Sequence, residues 1–389
     1  MLERRSFLTC AVALAALASS RAAFAAAPTD RRFVLVLLRG GLDGLHALPP
    51  HGDRDYRRLR PSLALSPDPA LDLDGHFGLH PALGDLMPLY RAGELLLVPA
   101  AATRYRDRSH FDGQNMLENG SGKPYGAQDG WLNRAILGLN GGDRRLGLAL
   151  GPSVPLILQG EAHVRSWSDS GLPALDEDFL ARITVAYRND PLFAAALRDA
   201  SGGVKPAVAM ADTAGEPARE QAYVKAARVA ADLLAQSDGP RVAVLESQGW
   251  DTHFAQERRL KELFGDFSRG LVELKRGLGE AWRETVIMVV SEFGRTAAEN
   301  GSRGTDHGTG GLALLVGGAV AGGRIVGDWP GLSDRALYEG RDVLAANAYE
   351  RLFKAVLIGH LGVDLGFVED RVFPASRAQF PMDGLIRRA

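Results

Sequence analysis

Phe33-Val34-Leu35-Val36-Leu37-Leu38, followed at once by Arg39-Gly40-Gly41-Leu42-Asp43-Gly44, is the stretch on which the reading of this chain turns. The apolar run shows no alternation with polar residues, so neither face of the strand it forms can meet water. Arg-Gly-Gly then ends the strand in a turn. Shorter or similar runs recur at 95–99, 156–158, 242–245, 286–290 and 312–316, and amphipathic helical patterns lie between them at 216–236, 254–282 and 346–361. Buried strands alternating with such helices predict an α/β fold: a mostly parallel central sheet with helices on both faces.

Composition narrows the class. Of 389 residues, 46% are hydrophobic and 24% charged, which excludes disordered, collagen-like and coiled-coil chains. Lys and Arg number 45 against 47 Asp and Glu, a net charge of −2, so no basic field suits nucleic acid. The one cysteine, Cys10, excludes disulfide scaffolds and cysteine-built metal sites. Any ion must therefore be held by oxygen and imidazole. Residues 1–25 have the form of a cleaved signal peptide: Arg4 and Arg5, an apolar run at 10–18, and Ala23-Phe24-Ala25. That run is too short for a bilayer core of roughly 30 Å, so no membrane span is expected after cleavage. Arg4-Arg5-Ser6-Phe7-Leu8 resembles the twin-arginine signature, which implies the twin-arginine export machinery as a partner and a periplasmic or secreted location; a general secretory signal is the alternative. Residues 26–389 read as one domain, with an insertion or cap around 143–205 and a short helical piece at 191–198.

In open α/β sheets, ligands bind beyond the carboxyl ends of the strands. The first strand leads to Asp43. The run at 242–245 leads to Gly249-Trp250-Asp251-Thr252-His253, and the run at 286–290 to Ser291-Glu292-Phe293-Gly294-Arg295-Thr296. Asp306-His307 follows between glycines. Asp251 and His253, two apart, can reach one ion from an extended loop, and Asp43, Glu292, Asp306 and His307 supply further ligands. The expectation is one or two divalent ions, with zinc, manganese, calcium and magnesium all open. Each residue also has a plainer reading. Asp43-Gly44 suits a turn or helix cap, Glu292 can pair with Arg295, and Asp251 can bond His253 locally.

Ser109-His110-Phe111-Asp112-Gly113-Gln114 begins a helical stretch through Glu118. Ser109 with Asp112 is close to a capping box. The same hydroxyl, at the positive end of a helix, is also placed to attack an anionic ester. His110 is a candidate base or ligand, and Gln114 a candidate donor to the ester. Arg39 and Arg295 offer bidentate forks for tetrahedral oxyanions, or serve as ion-pair partners.

Together with Asp129-Gly130-Trp131, these motifs are similar to those of the bacterial family called domain of unknown function 1501, in the same order from about residue 33 to 365. Its members are placed in the alkaline-phosphatase-like superfamily, beside sulfatases, phosphodiesterases and cofactor-independent phosphoglycerate mutases. The resemblance implies that Asp43 is the first-strand metal aspartate, Asp251 and His253 the central pair, His307 the last metal histidine, and Ser109 the hydroxyl nucleophile. The superfamily's Asp-His step falls here on Glu292-Phe293, so the second metal site depends on Asp306 or another group. No formylglycine motif is present, which excludes that chemistry.

The resulting expectation is an exported metal-dependent hydrolase of phosphate or sulfate esters, acting on a small-molecule or polymer ester. The alternative is a non-catalytic binding or scaffolding protein on a degenerate fold of this kind. A dinucleotide enzyme is disfavoured, because Gly40-Gly41-x-x-Gly44 lacks the Gly-x-Gly-x-x-Gly spacing.

Overall fold

Strand β1 (Arg32–Leu38) is buried along its whole length in the computed structural model, which describes residues 29–65, 70–139, 146–151, 153–168 and 222–387. A short hairpin of β2 (Leu71–Asp72) and β3 (Gly78–Leu79) precedes β4 (Leu95–Ala102). Then come β5 (Gly147–Leu150), β6 (Val164–Trp167), β7 (Val242–Ser247), β8 (Thr285–Ser291), β9 (Gly311–Val316), β10 (Arg324–Ile325) and β11 (Asn347–Ala348). Among the described residues the main sheet has nine strands, ordered β10-β4-β9-β8-β1-β7-β5-β6, with β11 beside β4. All pairings are parallel except those of β9, which runs antiparallel to both β4 and β8.

The continuous apolar runs are explained by cover on both faces. Phe33, Leu35 and Leu37 pack with Trp131, Leu352, Phe353 and Val356. Val34, Val36 and Leu38 pack against Leu260, Phe264 and Leu271. The first group meets helices α2 (Trp131–Gly138) and α5 (Tyr349–Gly359). The second meets α4 (Gln256–Leu278), which packs in turn on α3 (Ala222–Ala235). Each such side chain contributes about 1.5–3 kcal/mol when fully buried. Gly279, at φ +53, ends α4 in a conformation that costs glycine little.

Register places the functional end of the sheet. Leu38 pairs with both Ser247 and Ser291, so β1, β7 and β8 stop at one level. Arg39, Gln248 and Glu292 therefore leave the sheet side by side.

Two expectations are corrected or extended. The run at 156–158 is a 3₁₀ turn (Leu156–Leu158) after Pro155. Three apolar residues are too few to compete for a ladder, and the Ile157 amide donates instead to Glu118 Oε2 at 3.0 Å. The weakly patterned region contributes β5 and β6 to the sheet at 147–150 and 164–167. The helical pattern from 216 is described from Ala222 onward. The rest of that region, including 191–198, and the signal segment 1–25 lie outside the described residues. Among the described residues no helix is long and apolar enough to cross a membrane.

Candidate metal centre

The three aligned strand ends and one helix start supply the site. Gly40, at φ +123, lets the turns after β1 and β7 touch; a Cβ there would stand 2.4 Å from the Asp251 amide nitrogen. Only glycine permits both that conformation and that approach. From the other side, Arg295 and His307 form a backbone bridge, carrying His307 back over the end of β8. Helix α1 (His110–Asn119) presents its first residue to the same point.

There the Nε2 atoms of His110 and His307 are 3.0 Å apart, and those of His253 and His307 are also 3.0 Å apart. Asp251 Oδ1 lies 3.0 Å from His253 Nε2 and 3.2 Å from His307 Nε2, while Oδ2 is 3.5 Å from His110 Nε2. Ligand atoms of His110, Asp251 and His307 all fall within 4.8 Å of one another. Every ring's other nitrogen is engaged. His110 Nδ1 meets Glu292 Oε1 at 2.7 Å, His253 Nδ1 meets Asp306 Oδ1 at 3.0 Å, and His307 Nδ1 meets the Arg108 carbonyl at 2.9 Å. These partners accept hydrogen bonds, so each Nδ1 carries the proton and each neutral ring turns an Nε2 lone pair inward. Three such lone pairs and a carboxylate crowded together suit a cation.

The electrostatics fit a polarised cluster. Burial lowers the His110 pKa, but the hydrogen bond and charge of Glu292, with Asp251, outweigh it and raise it above the usual range. Burial lowers that of His307, and the charges of His110 and Arg295 add to this against the Arg108 hydrogen bond. Burial opposes ionisation of Asp251 as well, yet Arg295 keeps it below the ordinary carboxylate range.

Glu292 stands behind His110. Its Oε1 also accepts from the Gly40 amide at 2.8 Å and Gln114 Nε2 at 3.0 Å, and Oε2 from Ser291 Oγ at 3.0 Å. Against the effect of burial, the hydrogen bond from His110 first, then that from Gln114 and the His110 charge, hold its pKa down. Asp306 likewise stands behind His253 and accepts from Asn300 Nδ2 at 3.2 Å. Asp43 does not join the cluster. Its Oδ2 accepts from Arg60 Nη1 at 2.7 Å and Gln256 Nε2 at 2.6 Å, and its Oδ1 caps a helical turn through the His46 amide at 3.1 Å. Phe293 packs on His110 and His307 with ring centroids at 4.8 and 5.3 Å, occupying the space beside them with hydrocarbon.

Both arginines are committed. Arg39 donates to Glu118 at 2.6 Å and through Nε to Glu246 at 2.8 Å. Arg295 donates to Asp251 Oδ1 at 2.6 Å and to Thr305 Oγ1 at 3.2 Å. Ser109 begins α1 with no side-chain capping bond. The capping box does not form, and Asp112 instead accepts from Tyr105 Oη at 3.3 Å. Sequence reading did not find Arg60, Gln256, Arg108 or Asn300. Their roles depend on contacts across the fold that no local spacing signals.

The overall arrangement is similar to that of several solved proteins. One is Ps i-CgsB in complex with k-i-k-neocarrahexaose, at 12% identity and TM-score 0.45, covering 91% of this chain and 77% of that one. Another is the lipoteichoic acid synthase LtaP from Listeria monocytogenes, at 10% identity and TM-score 0.39, covering 90% and 76%. A third is alkaline phosphatase from the Antarctic bacterium TAB5, at 12% identity and TM-score 0.33, covering 74% and 90%. Among curated proteins, none matches the sequence. The match that assigns membership is to a family model spanning residues 100–364, which takes in α1, His110, Asp251, His253 and His307. The chain belongs to the family described as "Protein of unknown function (DUF1501)".

Proposed function

We propose that the protein is an exported, divalent-metal-dependent hydrolase of phosphate or sulfate esters. The observation that carries the reading is the convergence of His110, His253, His307 and Asp251, each imidazole held in the tautomer that exposes Nε2. A donor set rich in imidazole suits zinc or a similar transition ion better than calcium or magnesium. Such an ion, when bound, supplies Lewis-acid polarisation of an ester oxygen. With Asp43 and Glu292 engaged elsewhere and Phe293 beside the rings, the donors favour one ion over two.

The chain's own groups do the rest. Asp251 is oriented by Arg295, and the three rings by Glu292, Asp306 and the Arg108 carbonyl. Ser109 is the proposed nucleophile. Its hydroxyl stands at the start of a ten-residue helix, unused as a cap, where helix amides favour a developing negative charge. Arg39 and Arg295 act through the carboxylates they hold.

Metal analysis of the purified protein and a panel of phosphate and sulfate esters test this. The expected result is about one equivalent of transition metal and ester hydrolysis that falls at least about 100-fold in Asp251→Ala and His307→Ala. Hydrolysis that persists in both variants overturns the reading. Metal binding with no hydrolysis across the panel favours the binding-protein alternative, and full activity in Ser109→Ala removes that residue as nucleophile.

A further inference from the structure

We propose that Asp342 is the positioning residue for His307, acting through two arginines that grip that histidine at different points. Asp342 is fully buried. Its Oδ2 accepts from Arg108 Nε at 2.8 Å, and its Oδ1 accepts from Arg341 Nη1 at 2.8 Å. Each arginine reaches His307 by another route. The Arg108 carbonyl accepts from the imidazole Nδ1 at 2.9 Å, and Arg341 Nη1 donates to the His307 carbonyl at 2.9 Å. One buried carboxylate thus governs both the ring and the main chain of His307.

The Asp342 backbone is itself fixed on two sides, by bridges to Thr296 and Tyr338. Thr296 adjoins Arg295, whose backbone bridges to His307. Arg108 stands at φ +63, a conformation that a residue with a Cβ rarely adopts. That conformation is over-determined. Glu339 takes Arg108 Nη2 at 2.5 Å, Asp342 takes Nε, and the guanidinium lies 5.9 Å from the Tyr338 ring centroid. Release of the Asp342 contact frees Arg108 to relax, and its carbonyl then leaves the imidazole. His307 loses its preference for the Nδ1–H tautomer, and Nε2 becomes protonated for part of the time. A protonated Nε2 cannot bind a cation.

This inference rests on the metal reading above, but its test has a readout that does not need metal. In metal-free full chain, ¹⁵N NMR of the histidine rings should show His307 predominantly as the Nδ1–H tautomer, and Asp342→Asn should turn it into a mixture. In Co²⁺ titrations read by visible absorption, Asp342→Asn should bind about 10- to 100-fold more weakly than wild type, the usual effect of losing such a supporting partner. Arg341→Met, which cuts one arm at a half-exposed side chain, should bind several-fold more weakly with its metal-free melting temperature unchanged. If Asp342→Asn does not fold, Arg341→Met decides alone. Variants that fold, keep the wild-type tautomer and bind Co²⁺ as wild type does overturn the proposal. A wild type that binds no Co²⁺ while Asp342→Asn still shifts the tautomer overturns the metal reading and leaves the positioning role standing.

Discussion

His253 and His307 point their Nε2 atoms at each other across 3.0 Å, and neither ring can turn away without losing the bond at its Nδ1. Two imidazole lone pairs at that distance repel unless a proton or a cation lies between them. The site therefore stores an affinity for positive charge that the flanking carboxylates and carbonyl maintain. Zn²⁺ at 100 times its dissociation constant should stabilise the folded protein by about 2.7 kcal/mol. His253→Ala and His307→Ala should each abolish most of the rise in melting temperature. A rise equal to wild type in both would place the ion elsewhere.

Glu292 tests the supporting role of a carboxylate. Glu292→Gln can still accept a bond from His110 but loses the charge that keeps the proton on Nδ1. Metal affinity measured by chelator competition should fall about 10- to 100-fold. Replacing Asp251, a ligand in the proposed site, as in Asp251→Ala, should cost more. An equal or smaller loss in Asp251→Ala would reverse the two assignments.

The Asp43–Arg60 pair should matter for stability before it matters for metal. Their side chains are 1% and 0% exposed, and burial's opposition to the Asp43 charge is outweighed by Arg60. Asp43→Ala leaves a guanidinium buried without its counter-charge, at about 3–5 kcal/mol. Urea unfolding should show that loss, while Asp43→Leu with Arg60→Met should recover part of it. The fraction of Asp43→Ala that stays folded should keep its metal stoichiometry. Loss of metal from folded Asp43→Ala would mean that Asp43 does contribute to the ion.

Acid should destabilise the fold through buried histidines before the carboxylates titrate. Burial lowers the pKa values of His46 and His360 from 6.5 to about 4. Both His46 ring nitrogens lack a hydrogen-bond partner, and the nearby Asp43 charge offsets the burial of its charge only in part. The unfolded chain takes up these protons below pH 6.5 and the folded chain only near 4. Stability is thus complete above about 6.5 and falls as pH drops to about 4, by about 3 kcal/mol per histidine. Glu350, raised by burial, works in the opposite sense, so the difference between wild type and His46→Leu isolates the effect. Wild type should lose stability relative to His46→Leu between pH 7 and 5; a constant difference would exclude His46.

Much of the fold was legible because its strands announce themselves. A run such as Phe33 to Leu38 has one stable environment, covered on both sides, and the turns that follow it emerge at the ligand-binding end. Asp251, His253 and His307 were visible as candidates for the same reason, and His110 stood beside them as a base or ligand. β5 and β6 were missed because each is only four residues long, and β6 carries no apolar run.

Sequence alone determined the longer buried strands β1, β4, β7, β8 and β9 and the residue types that follow β1, β7 and β8. Only the tertiary structure decided the level at which those strands end, which of the acids reach the imidazole cluster and which stand behind it. Asp43 and Asp251 look alike in sequence, each an aspartate after a buried strand. Arg60 and Gln256 arrive from distant segments to take both side-chain bonds at Asp43 Oδ2, whereas Arg295 leaves Asp251 open to three imidazoles. A carboxylate's role is set by which donors reach it first, and those donors come from parts of the chain that local pattern does not connect.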